Sequence, residues 1–130
     1  MYTQTTNDIR ITVEPTYLEA QSSPVDNQYV WAYQVKIENI GKRIVQLKTR
    51  HWRIIDAAGH VVTVEGEGVV GETPVLEPGD AFEYVSGTPL PTPSGVMQGS
   101  YGMVEQGGAM FEAEIPAFSL DSPYERRLLQ

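Results

Sequence analysis

The chain has 130 residues, 41% of them apolar, which suits one domain with a hydrophobic core of its own. Seventeen acidic residues against nine basic ones give a formal charge of −8, so broad electrostatic binding of DNA or RNA is not expected. There is no cysteine, which excludes disulfides, thiolate metal sites and thiol nucleophiles.

The opening MYTQTTNDIRI has no basic stretch leading into an apolar run, so no secretory signal is expected, and no later segment approaches a membrane span. A cytoplasmic protein with no membrane insertion follows as the expectation. From Ile9 the dominant period is two. IRITV alternates Ile9, Ile11 and Val13 with polar residues. QYVWAYQVKIEN puts Tyr29, Trp31, Tyr33, Val35 and Ile37 on one face, which predicts a half-buried strand with an aromatic inner side. NIGK (39–42) is a turn, and a second long strand starts at Ile44. Its alternation slips, because Val45 and Leu47 share one parity and Trp52 and Ile54 the other. One extra residue between Lys48 and His51 restores the phase, so a β-bulge is predicted there.

DAAG (56–59) predicts a hairpin connection into HVVTV. In LEPGDAF, Leu76, Pro78 and Gly79 are spaced for a type II turn, with Phe82 placed as an aromatic corner residue. Strands follow at AFEYV (81–85), VMQGSYGMVE (96–105) and AMFEAEIPAF (109–118), with SGTPLPTPSG (86–95) as a stiff proline-rich connection. Pro116 ends the last strand or puts it at an edge. The one credible helix is DSPYERRLL, with Ser122 as N-cap, Pro123 at the first position and Glu125 closing a capping box. Seven or eight strands without crossover helices predict a single all-β domain, an antiparallel β-sandwich. Its core spans about 9–120, between a flexible N-terminus and a C-terminal tail.

Three stretches carry a family resemblance: EGEGVVGETPVLEPG (65–79), FEYVSGTPLPTPSGVMQGSYGM (82–103) and MFEAEIPAFSL (110–120). In this order and spacing the chain resembles the ApaG family of small bacterial proteins, from about Ile9 to Leu120. The resemblance implies an immunoglobulin-like or fibronectin type III-like sandwich. It also implies a genetic association with cobalt resistance and magnesium efflux, without an established biochemical activity. Related domains in eukaryotic F-box proteins, and in a protein that interacts with DNA polymerase delta, imply a module that binds protein partners.

The residues themselves offer several candidate sites. Gly66, Gly68 and Gly71 form G-x-G-x-x-G, a spacing that can fold backbone around a pyrophosphate. The setting opposes that reading. Pro78 and Gly79 stop any following helix, no lysine follows, and Glu65, Glu67 and Glu72 would repel the anion. Glycines that permit turns and close backbone approach are the stronger reading. The same carboxylates make Mg2+ or Co2+ an alternative ligand of the 65–72 loop, although no calcium-loop pattern is present. His51 and His60 fall on neighbouring strands of one hairpin, with no acidic partner beside either by local spacing.

In KTRHWR (48–53), Lys48 and Arg50 share a parity and make a candidate basic, solvent-facing partner patch, with Trp52 pointing to the core. No catalytic motif is present, and no cofactor or dedicated metal site is expected. The expected function is therefore a non-enzymatic protein-interaction module. The alternative is a small-ligand or cation-binding protein using the loop of Glu65, Gly66, Glu67, Gly68, Gly71 and Glu72.

Overall fold

A computed structural model describes residues 1–124, and the nine strands of these residues form two antiparallel sheets packed face to face. The first sheet has the order β1-β2-β3-β7, from Tyr2–Thr6, Ile9–Tyr17, Tyr29–Asn39 and Ala81–Leu90. The second has the order β5-β4-β8-β9, from Val61–Glu67, Val45–Asp56, Ser94–Glu105 and Met110–Asp121. The two-residue β6, Val75–Leu76, pairs with the start of β4 on the same side as β5. All-β architecture and the antiparallel sandwich are as expected; β1 and β6 are additions.

The period-two pattern explains the layers. In β3 the odd residues from Tyr29 to Ile37 are buried, while the even ones are half-buried or exposed. They meet Leu47, Trp52, Met97, Tyr101, Phe118 and Leu120 from the other sheet. Each such aliphatic side chain taken fully out of water contributes about 1.5–3 kcal/mol. Tyr33 and Phe118 flank Trp52 at ring-centroid distances of 5.3 and 6.1 Å, and Trp31 anchors its indole by donating to the Asp121 carbonyl (2.8 Å).

Local geometry adds to the expectation at several places, and at Pro116 it takes the expected edge placement. Asn7 and Asp8 both adopt positive φ (46° and 62°), forming the two-residue turn that joins β1 to β2. The stretch 86–95 is not a connection throughout: β7 continues to Leu90 opposite Tyr29. Pro89 is tolerated there because β7 is an edge strand with no further neighbour to donate to. Pro116 lies inside β9, also an edge, where two β9 residues oppose the single Gln98 in a bulge. Single turns of 3-10 helix occupy Glu19–Gln21 and Pro24–Asp26. Ser122 Oγ accepts from the Tyr124 amide (3.3 Å), and the rest of the expected C-terminal helix lies outside the described residues.

The two long sides of the sandwich are unlike. On one side β1 closes against β9: Thr6 Oγ1 accepts from the Glu114 amide (3.2 Å), and the Tyr2 hydroxyl accepts from the Ser119 amide (3.3 Å). On the other side, β5 and β7 are the sheet edges, and no hydrogen bond joins them among the described residues.

Candidate functional site: the open side of the sandwich

The bulge in β4 decides what the open side presents. Pairing with β8 runs Val45 to Leu47, skips Lys48, and resumes at Thr49. The extra residue is thus Lys48 itself, two positions before Arg50. A one-residue slip exchanges the faces of everything beyond it. Arg50 therefore shares the inner face with Trp52, and the expected Lys48/Arg50 patch does not exist: Lys48 is exposed, whereas Arg50 is half-buried among Tyr84, Trp52 and Val69.

Opposite the bulge, the edge strand is interrupted. Glu67 pairs with Thr49, and the Pro74 carbonyl accepts from the Leu47 amide (3.0 Å), so residues 68–73 leave the sheet as a loop between β5 and β6. The glycines of this loop have distinct tasks. Gly66 lies across the ladder from Arg50, whose guanidinium passes over it; a Cβ there would sit 2.7 Å from Nη1 and Nη2. Gly68 takes φ 62°, and a Cβ would overlap the Glu72 carbonyl oxygen. Val69 and Glu72 exchange both backbone bonds (2.9 and 2.8 Å) around Val70 and Gly71, whose φ values of 44° and 80° are those of a type I′ turn. A β-branched residue at positive φ is a strained placement.

A pyrophosphate cradle needs free amides in the loop and a helix after it. Gly71 leads to β6, not to a helix, and the amides of Gly68, Val69 and Glu72 are already bonded to backbone carbonyls. Arg50 Nη1 donates to the carbonyls of Glu67 (2.8 Å) and Gly68 (3.1 Å), so the cation sits on the inner side of the loop. Glu65 and Glu67 pair with His51 and Thr49, and so belong to the outer face. Glu72 is exposed at the far end of the turn.

Between the sheets, the open side forms a cleft of about 830 Å3. One wall is Trp52, Ile54, Val62 and Val64; the other is Tyr84, Ser86, Thr88 and Leu90. Arg50 and the Val69–Gly71 turn close one end, and Asp56 with His60 the other. Val62 and Val64 face inward on β5, paired beside Ile54 and Trp52, yet remain 57% and 37% exposed because the open cleft separates them from β7. Val70, at the turn tip, is 59% exposed. On the cleft wall the Tyr84 hydroxyl is hydrogen-bonded to that of Tyr101. Burial pushes both phenols above their usual range, with nearby Arg50 acting weakly in the opposite direction on Tyr84. Both stay neutral hydroxyls.

The histidines do not meet. His51 lies on the outer face, with Nδ1 3.7 Å from Glu65 and Nε2 3.7 Å from Glu112, and Thr49 Oγ1 3.3 Å away. His60 sits beside Asp56 (3.4 Å), whose carboxylate also accepts from the amides of Ala58 (2.9 Å) and His60 (3.0 Å). Burial raises the Asp56 pKa, but these bonds and the adjacent imidazole outweigh it, and the net shift is downward. Each histidine thus has the acidic neighbour that local spacing did not reveal, supplied by strand pairing or the turn. Among the described residues, no group of three or more acidic or histidine side chains is arranged to hold a metal ion, and no helix is long and apolar enough to cross a membrane.

Of the expected site residues, the structure brings Gly66, Gly68, Gly71 and Arg50 together, and leaves Lys48, Glu65, Glu67 and Glu72 outside the cleft. The residues missed are Tyr33, Trp52, Val62, Val64, Val70 and Tyr84. Their alternation marked strand faces, but nothing in it marked which side of the sandwich stays open.

Comparison with known proteins agrees with this architecture. Residues 19–105 match the ApaG domain. Protein ApaG of Paramagnetospirillum magneticum is 64% identical over 126 residues, covering 97% of each chain, and that of Rhodospirillum centenum is 63% identical over the same length and coverage. A crystal structure of an ApaA protein from Bordetella pertussis superposes with a TM-score of 0.87 at 47% identity, covering 89% of this chain and 94% of that one. Domain match, near-full-length relatives and shared fold together establish that the chain belongs to the ApaG family.

Proposed function

We propose that the chain is a non-enzymatic recognition module of the cytoplasm that binds a protein partner along the β5 edge and the 68–73 turn. The observation that carries this reading is the exposure of Val62 and Val64 on an inner sheet face. Inner-face valines are normally roofed by the facing sheet, and an uncovered apolar edge strand is a surface that sheets avoid unless another chain uses it. The unpaired N–H and C=O groups of β5 supply backbone bonds to an added strand, while alternate partner side chains reach the cleft. The strained, exposed Val70 belongs to the same surface, and strain of this kind concentrates where a loop is shaped for contact. The resemblance-based link to cobalt and magnesium homeostasis enters here as the process the partner serves, with recognition rather than transport as this chain's part.

The test is quantitative capture from the native cell with three baits: the unaltered chain, Val62→Lys/Val64→Lys, and Arg53→Glu on the outer face. The reading expects proteins retained by the first and third baits and lost from the second. The same set on all three baits, or loss only with Arg53→Glu, would overturn it.

A further inference from the structure

Arg50 gives the cleft a chemical specificity of its own. The chain carries seventeen acidic residues, yet among the described residues no carboxylate lies within ion-pair distance of Arg50. Its bonds are Nη1 to two loop carbonyls, which hold the guanidinium in place and, among the described residues, leave Nη2 and Nε without a protein acceptor. The strands put Glu65 and Glu67 on the opposite face, so the nearest acids of the loop do not neutralise it. Behind the guanidinium runs an apolar trough walled by Trp52, Ile54, Val62, Val64 and Tyr84. From Arg50 to Asp56 the trough follows six residue-to-residue steps of the strand, about 20 Å at the usual rise.

We infer that this cleft is a binding site for a small amphipathic carboxylic acid, its apolar body lying between β5 and β7 and its carboxylate seated on Arg50. The volume, about 830 Å3, lies within the range of small-molecule pockets, which are mostly apolar with few orienting polar groups. A planar guanidinium held by two carbonyls offers its remaining donors in the fork that matches a carboxylate. Phosphate esters fit less well. Among the described lining residues there is no lysine and no arginine besides Arg50, and the amides of Gly68, Val69 and Glu72 are already bonded to backbone carbonyls, so a phosphate would meet few donors. At the far end Asp56 repels a second anionic group, which sets the ligand's polarity within the trough. The ligand reading does not rest on the partner reading, since it needs no protein on the β5 edge, although both draw on the wall of Val62 and Val64.

Heteronuclear NMR titration of the full chain tests the inference with three probes, decanoate and decyltrimethylammonium below their micellar concentrations and decanol below its solubility limit. Decanoate is expected to give saturable shifts confined to Val62, Val64, Val69, Trp52 and Tyr84. Decanol is expected to bind at least ~10-fold more weakly, since a charge-assisted pair contributes ~1.5–3 kcal/mol, and the cation weaker still. Arg50→Gln should erase the preference for decanoate over decanol. Because Arg50 also holds the loop, Arg50→Lys is run beside it: charge without the fork should keep part of the preference. Absent saturable shifts at the cleft, or equal affinity for the acid and the alcohol in the unaltered chain, would overturn the inference.

Discussion

Gly68, Gly71 and Val70 show at the level of single residues how the loop is built. Gly68→Ala forces a Cβ onto the Glu72 carbonyl at a φ of 62°, and should cost about 2–3 kcal/mol in urea unfolding. Gly66→Ala meets only the movable end of Arg50, so it should retain most stability while displacing the guanidinium. Similar losses in the two variants would refute this division of labour. Val70→Gly or Val70→Asn should raise stability by about 0.5–1 kcal/mol, because a β-branched residue at φ 44° is replaced by one that tolerates it. A loss on urea titration would show that Val70 is held by packing instead. In the sequence these glycines were legible as turn-formers in a β context, whereas the outward facing of Glu65 and Glu67 was not. Arg50 was not legible. Its facing depends on where one extra residue enters β4, and both Lys48 and the positions after it restore the same hydrophobic phase.

At the scale of elements, the sequence marked the strands by alternation wherever one face is core, so β2, β3, β4, β8 and β9 stand nearly where expected. It missed β1, whose outer-edge TQTT pairs by backbone with little apolar signal, although Asn7-Asp8 is a turn dipeptide. It ended β7 at Val85, because the prolines of 86–95 read as a stiff connection until the strand is known to be an edge. The β4–β5 hairpin offers a pH test. The Asp56 carboxylate has a folded pKa below its unfolded value of about 3.9. The folded state thus binds this proton less readily than the unfolded one, so its contribution is complete above about pH 4 and is lost as pH falls further through the folded value. Urea midpoints measured from pH 6 to pH 2.5 should decline in this acid window, and Asp56→Asn should flatten part of the decline. An unchanged slope would mean that the turn does not depend on the charged carboxylate.

Across the whole molecule, the asymmetry between a side sealed by β1 on β9 and a side left open between β5 and β7 is the feature on which the proposed recognition rests. The absence of cysteine excluded thiol chemistry, but composition does not reveal which edges of a sandwich are roofed, since that depends on how loops bring strands together. Val62→Lys/Val64→Lys should change stability by less than about 1 kcal/mol, both side chains already being partly hydrated, while abolishing capture of the partner. Thermal unfolding beside the capture assay checks this; a collapse of the fold would place these valines in the core and not in a recognition face. The most direct measurement is site-specific photocrosslinking in the native cell, with a photoreactive phenylalanine at Val62 or Val70 on the open side, or at Gln34 or Arg53 on the outer faces. The account predicts discrete crosslinked species from Val62 and Val70 and none from Gln34 and Arg53. Crosslinks from the outer faces alone would contradict it.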